Sequence, residues 1–432
     1  MILTIKPAIF LKGKVQLPAS KSYSIRAFMI AACGGKSTIT NPSRSDDAKV
    51  AIRVIKSLGA QVKEVRRGPL SCWKIVANKN KSQCPRINVG ESGTVLRFLL
   101  PLLALRGKKT TVIGEGTLRG RPNSFLLETL RAMGIDIKGQ GTNESVPIHL
   151  KGGGMRGGDI AIDGSLSSQF VSSLLIACPQ LAQDTRLMLR GKRLVSTDYI
   201  TMTRQVLERS GIEIVKKEER CYQIKGKQTF KGLKDFIVPC DYGLAAFLMA
   251  AAALIGSEVT LSGNLRGELV QADSHIIPFL DRMGVNIQKI PGAIQIKGPF
   301  ELNGGNFSLK NCPDLVPIMI VLALFARGQT RLFNIGHVRS KESDRITDLR
   351  KELIKVGAKI EEKKDELIVH PHDKYKRGRL LDPHKDHRLA MAFCVLGLKL
   401  GVRVKDIECT HKSYPDFVRD FKAIGAMFCM SQ

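Results

Sequence analysis

Residues 247–263, FLMAAAALIGSEVTLSG, read as a helix that is apolar on nearly every side, a glycine, and then a strand rich in Thr and Val. A helix with no polar face belongs inside a domain. Working outward, the pattern recurs as AFMIAACGGKSTITNP (27–42), FLLPLLALRGKKTTVIG (98–114), FVSSLLIACPQLAQDTRLMLRG (170–191), IMIVLALFARGQTRLFNI (318–335) and LAMAFCVLGLKLGVRVKDI (389–407). A second series alternates with it: VIKSLGAQV, LETLRAMGIDI, VLERSGIEI, FLDRMGVNI, ELIKVGAKI and DFKAIGAMF. These are one-sided helices that face solvent, each closed by a glycine and followed by a short β-like stretch. The glycines, at 59, 134, 211, 284, 357 and 425, are spaced 75, 77, 73, 73 and 68 residues apart. Glycine just past a helix end is expected, because it takes positive φ without steric cost. Two interleaved series at one period define a repeated unit of buried helix, strand, surface helix and two or three further strands.

The sixth unit begins near Asp386 and stops after its second helix, whereas residues 1–19, MILTIKPAIFLKGKVQLPA, are β-rich and precede the first. If residues 1–19 supply the missing strands, units one to three form an inserted domain over 20–236. Units four to six then form a discontinuous domain from 1–19 and 237–432. The fold class expected is α/β, with six repeated units, three per domain, and the buried helices inside each domain.

Bulk properties narrow the function. With 43% apolar and 25% charged residues, the 432-residue chain is composed like a globular protein rather than a disordered one. Its longest apolar run, Leu244 to Ile255, is far shorter than the roughly 20 residues of a membrane span. Lys6 and Pro7 interrupt the apolar N-terminus, so no secretory signal is expected. The ten cysteines include no C-x-x-C pair and read as reduced thiols, which suits a cytoplasmic protein. Four of the eight histidines fall between 370 and 387 at no metal-ligand spacing, so no metal is expected. Lys and Arg number 68 against 39 Asp and Glu, a net charge of +29. Nucleic acid is the first partner such charge suggests. Aromatics are only 6%, however, and there is no basic tail, which leaves base stacking little to work with. Small anionic substrates are the other class of partner that a cationic surface attracts.

Polar residues precede the buried helices at matching places: Lys21-Ser22, Ser92-Gly93-Thr94, Ser167-Ser168-Gln169, Asp241, Asp314 and Asp386-His387-Arg388. Ser, Thr and Asp there are helix caps by default, and Asp314 has that plain reading too. Capping does not explain Lys21, Arg26, His387 or Arg388, because cations are disfavoured at a helix N-terminus. Cations converging with free N–H groups make an anion site. The starts of the surface helices add GTLRGRP (116–122), STDY (196–199) and RSKESDR (339–345). Nucleotide motifs fail: GGKS at 34–37 has Ile30 where a P-loop needs glycine, and GEGTLRG lacks the dinucleotide spacing. No cofactor is expected, and the chemistry falls to the protein's own acids and bases.

LPASKSYSIRAFMIAA, GESGTVLRFLLPLLA, LRGRPNSFLLETLRAMG, SLSSQFVSSLLIA, CPDLVPIMIVLALFARGQTRLFNI, RSKESDRI, KDHRLAMAF and KSYPDF occur in the order seen in the 5-enolpyruvylshikimate-3-phosphate synthase family, which the whole chain resembles. The resemblance implies a two-domain enolpyruvyl-transferase fold. It also implies transfer of the carboxyvinyl group of phosphoenolpyruvate to 3-phosphoshikimate by a monomer whose domains close on its substrates. By match to the family pattern, Lys21, Ser22, Arg26, Ser167, Ser168, Ser196, Tyr199, Asp314 and Lys341 would bind 3-phosphoshikimate. Lys21, Gly93, Arg121, Gln169, Arg345, Arg388 and Lys412 would bind phosphoenolpyruvate. Asp314 would be the base and Glu342 the acid, with Lys21 beside them. The chain departs from the pattern at Ile25 (usually His), Glu91 (often Asn), Gly243-Leu244 (commonly Ser-Ser) and His337 (Asn in some members). Two other readings remain: the sister transferase acting on UDP-N-acetylglucosamine, and a non-catalytic phosphate-ligand binder. The sister enzyme typically opens with Lys-Asn and carries Cys in the loop corresponding to 114–121, whereas Ser22 follows Lys21 here and GEGTLRGR has no Cys.

Overall fold

Six helices are buried along nearly their whole length: Lys21–Ala31, Gly93–Ala104, Ser168–Ala177, Tyr242–Leu254, Val316–Leu324 and His387–Leu400. The computed structural model describes residues 1–67, 70–78, 84–265 and 267–431. The chain forms two compact units, one made of Ala19–Val238 and the other of Met1–Pro18 with Pro239–Gln432. The first three buried helices lie in the former and the last three in the latter. One-sided helices alternate with them in sequence; Asp46–Ser57, for example, buries Val50, Val54 and Ile55 and turns Asp46, Lys49, Arg53 and Lys56 outward.

Each unit holds three four-stranded sheets among the described residues, all with the same arrangement of parallel and antiparallel neighbours. In the second, Arg86–Asn88 lies parallel to Lys109–Ile113, the two joined through the buried helix Gly93–Ala104. Lys109–Ile113 then pairs antiparallel with Ser145–Lys151, which pairs with Asp136–Gln140 at the sheet edge. A parallel pair needs a crossover of this length, whereas the hairpin needs only a short turn. The six surface-helix glycines take φ values from +84° to +101°, as their helix-terminating positions require.

The N-terminal segment divides between two sheets. Ile2–Ile5 lies between Val402–Lys405 and Phe428–Ser431, antiparallel to both. Phe10–Gln16 instead pairs parallel with Gly256–Ser262 in the fourth sheet. The expectation that the whole segment serves the last unit is therefore corrected. Phe10–Gln16 precedes the helix Lys21–Ala31 in the chain yet lies parallel to Gly256–Ser262, and Phe236–Ile237 precedes Tyr242–Leu254 yet lies parallel to Lys36–Thr40. The two leading strands are thus exchanged where the chain passes between the units.

No helix among the described residues is long and apolar enough to cross a membrane. The four histidines between 370 and 387 scatter: His370 meets Glu361, His372 the Gly357 carbonyl and His384 Glu352, while His387 opens a buried helix.

Leu3 is fully buried in the N-terminal strand, whereas Phe10 is half exposed. Leu3→Ala is expected to lower stability by about 2–5 kcal/mol in denaturant unfolding, the usual range for a core leucine. Phe10→Ala is expected to cost much less. Equal effects would contradict the assigned core role of the first strand.

Candidate active site

In the unit built from both chain ends, the loop RSKESDR (339–345) sends Arg345 inward until it is 1% exposed. A guanidinium this deep needs partners for its N–H groups. It donates to Asp386 from Nε at 2.8 Å and from Nη2 at 3.3 Å, to Asp314 Oδ1 at 2.8 Å and to Glu342 Oε2 at 3.1 Å. Burial lowers its affinity for a proton, but Asp386, Asp314 and Glu342 outweigh that and hold its pKa well above the ordinary arginine value. Asp386 also caps the helix His387–Leu400, accepting from the Arg388 N–H at 2.9 Å.

Asp314 sits in the short turn Pro313–Leu315 ahead of the helix Val316–Leu324. It makes no capping hydrogen bond to that helix. Its carboxylate instead meets Arg345, Arg388 Nη2 at 2.9 Å and Lys341 Nζ at 3.9 Å, which replaces the capping reading with a charge network. Burial pushes the Asp314 carboxyl up, but Arg388, Lys341 and Arg345 outweigh it and hold the group well below the usual carboxylate range. Glu342 is shared between Arg345 and Lys412 Nζ, the latter at 3.6 Å. Arg388 also donates to the Gly243 carbonyl at 2.9 Å. A Cβ at Gly243 would come within 2.4 Å of Asp273 Oδ2 and 2.9 Å of Arg388 Nη1, so glycine suits this position better than the family's serine. Burial and Lys341 press the His337 pKa down to about 3 despite Asp314, leaving a neutral imidazole.

The Ala19–Val238 unit carries the other site residues. Lys21 opens the first buried helix and pairs with Asp47 at 3.1 Å. Arg26 is buried, donating to Thr203 Oγ1 at 2.8 Å and to the Ser22 and Tyr199 carbonyls at 3.0 Å each, with Phe98 and Tyr199 rings against it. Burial lowers its pKa to about 10, so it stays charged at neutral pH. Arg121 packs against Gly93, where a Cβ would stand 2.9 Å from Nη1; any side chain at 93 would displace the guanidinium. Gln169 donates to Thr94 Oγ1 at 3.0 Å and accepts from Arg97 Nη1 at 2.6 Å. Ser167 caps the helix Ser168–Ala177 through the Gln169 N–H. Ser168 is buried in its first turn. Ser196 is also buried and takes φ of +55°, a conformation that costs a non-glycine residue energy and recurs at functional sites.

The six motif residues Asp314, Lys341, Glu342, Arg345, Arg388 and Lys412 thus join in one network. Residues expected at the phosphoenolpyruvate site divide between the units: Lys21, Gly93, Arg121 and Gln169 in one, Arg345, Arg388 and Lys412 in the other. Asp386, Asp47, Thr94 and Arg97 were not singled out from sequence as partners of these groups. The signals were there only as a capping position, an acidic first helical turn and two residues of GESGTVLR.

Repeated βαβ units with polar residues at the buried helix starts, and carboxylates ordered among cations, define an α/β protein equipped for anionic substrates. The chain belongs to the EPSP synthase family, whose model, EPSP synthase (3-phosphoshikimate 1-carboxyvinyltransferase), matches residues 5–421. It is 35% identical to the 3-phosphoshikimate 1-carboxyvinyltransferase of Methanococcus maripaludis, over 98% of this chain and 99% of that one. With the enzyme of the same name from Methanosarcina acetivorans it shares 36% identity over 96% of each chain. The solved EPSP synthase of Acinetobacter baumannii superposes with a TM-score of 0.79 over the whole of both chains, at 26% identity.

Because folding lowers the Asp314 pKa, the stability this group contributes is full above about pH 4 and is lost as pH falls through the lowered value. Asp314→Asn is expected to destabilise the chain at pH 7 by about 1.5–3 kcal/mol, the range for a hydrogen bond to a charged group. That gap should narrow as pH falls towards 2 in paired unfolding measurements. A gap independent of pH would contradict the ionised network.

Proposed function

We propose that this chain is a 3-phosphoshikimate 1-carboxyvinyltransferase of aromatic amino-acid biosynthesis. It transfers the carboxyvinyl group of phosphoenolpyruvate to the 5-hydroxyl of 3-phosphoshikimate and releases phosphate. One observation carries the reading beyond family membership: Asp314 and Glu342 are held by one buried guanidinium among Lys341, Arg388 and Lys412. Two acidic groups and a set of cations are what the reaction needs. A hydroxyl is a weak nucleophile until a base shares its proton, and the methylene carbon of phosphoenolpyruvate must gain a proton as the new C–O bond forms.

In this proposal Asp314 takes the 5-hydroxyl proton while that oxygen attacks C2 of phosphoenolpyruvate. Glu342 enters the step as the neutral acid, once substrate anions draw Arg345 and Lys412 away from it, and gives its proton to C3. The tetrahedral adduct then returns a proton from the new methyl group to the Glu342 carboxylate as its C–O bond to phosphate breaks, giving the enol ether and free phosphate. Lys341, with Lys21, Ser22, Arg26, Ser167, Ser168, Ser196 and Tyr199, holds 3-phosphoshikimate. Lys21, Gly93, Arg121, Gln169, Arg345, Arg388 and Lys412 hold phosphoenolpyruvate and offset the charge on the leaving phosphate. Asp314 is a weak base while Arg388, Lys341 and Arg345 all face it. Substrate anions that draw those cations away raise its pKa and make it a better one. His337, neutral and buried, can still hydrogen-bond a substrate hydroxyl where some family members use an amide. The same reading puts the reaction in the cytoplasm, with the chain working as a monomer.

Phosphate release from phosphoenolpyruvate is the direct test. It is expected with 3-phosphoshikimate and not with UDP-N-acetylglucosamine; the reverse would overturn the assignment. Asp314→Asn and Glu342→Gln are each expected to lower kcat by about 10²–10⁴-fold, the usual worth of an acid–base group. Turnover within about threefold of the parent would remove the altered residue from the mechanism. Arg121→Ala is expected to act mainly on the KM for phosphoenolpyruvate, by loss of a charge-assisted partner.

A further inference from the structure

Glu91 precedes Ser92, the cap of the helix Gly93–Ala104, so its charge lies close to residues assigned to an anion. Such a charge is expected to repel the substrate unless something engages it. Its Oε2 accepts from the Thr117 backbone N–H at 3.1 Å and from the Thr117 hydroxyl at 2.9 Å. Thr117 is the middle residue of the turn Gly116–Leu118. Gly116 has φ of +51°, and a Cβ there would lie 2.2 Å from Glu91 Oε1, so the glycine leaves the space that the carboxylate fills.

The turn leads directly to Arg121. The Leu118 N–H donates to the Glu115 carbonyl, and the Arg121 N–H donates to the Leu118 carbonyl at 3.2 Å. Leu118 is fully buried, so the turn is anchored from below. Nearby, the Glu115 N–H meets the Gly90 carbonyl at 2.8 Å, and the Asn88 amide meets the Glu115 carboxylate at 2.6 Å. Glu91 therefore ties the loop that ends at Gly93 to the loop that ends at Arg121, the two residues whose close approach defines this corner of the site.

We propose that Glu91 is a positioning residue for Arg121: its carboxylate clamps the turn at Thr117 and so sets the affinity for the anionic substrate that Arg121 holds. The proposal rests on the assignment of Arg121 to phosphoenolpyruvate. Small displacements of a binding group weaken an enzyme by orders of magnitude, which gives the clamp a measurable effect.

Steady-state kinetics and amide exchange on the full chain test it together. Glu91→Ala is expected to raise the KM for phosphoenolpyruvate on the order of 10-fold or more, with kcat and the KM for 3-phosphoshikimate little changed. Glu91→Gln keeps an oxygen for both Thr117 bonds and should stay within about threefold of the parent. In an Arg121→Ala background, Glu91→Ala should add little, because the two act through one contact. Full loss in Glu91→Gln, tighter phosphoenolpyruvate binding in Glu91→Ala, or additive effects with Arg121→Ala would each overturn the proposal. Faster exchange at the Thr117 amide in Glu91→Ala is expected whether or not the parent transfers a carboxyvinyl group. Unchanged exchange there overturns the clamp, whereas an inactive parent overturns only the functional assignment.

Discussion

A single buried guanidinium organises the unit that carries the two proposed acid–base groups. Arg345 bonds three carboxylates that come from three separate places in the chain: Asp314 ahead of one buried helix, Asp386 at the cap of another and Glu342 in its own loop. Taking a cation and three anions out of water is expensive, and ion networks of this kind seldom add net stability over apolar packing. Their effect is on geometry. Removing a partner leaves an uncompensated buried charge, so the network constrains each carboxylate to one place. Lys341, Arg388 and Lys412 then complete the charge balance around Asp314 and Glu342.

The architecture was legible because it rests on periodicity. Wholly apolar helices and glycine-terminated amphipathic ones can be seen in a single sequence, and their interleaving at one spacing reveals the unit. The fate of residues 1–19 was less legible. Ile2–Ile5 and Phe10–Gln16 join different sheets, and nothing local to either strand specifies which partner it meets. For the site, the motifs marked the cations and Asp314, for which a plain helix cap and a base were the two readings. Its charge partners Arg345 and Arg388 could not be named in advance, since they lie far from it in sequence. Asp386 looked like a cap and is one, yet it also holds Arg345. Arg97 and Gln169 are a similar case, meeting across two buried helices.

The departures from the family pattern make local sense. Gly243 makes room for Arg388 and Asp273, and Ile25 lies fully buried with the apolar residues of its helix. Glu91 replaces an amide by a carboxylate, but its oxygen bonds Thr117. Each change is accommodated by neighbours that a comparison of single positions does not show.

Cations hold Asp314 ionised and in place until substrate competes for them. The most direct measurement is the carbon-13 shift of the Asp314 side-chain carboxyl against pH, in the free protein and with 3-phosphoshikimate plus an unreactive phosphoenolpyruvate analogue. In the free protein the signal should remain that of a carboxylate down to pH values well below the ordinary 3.8, and ligands should move its midpoint upward. A free-protein midpoint at or above the ordinary value, unmoved by ligands, would contradict the account.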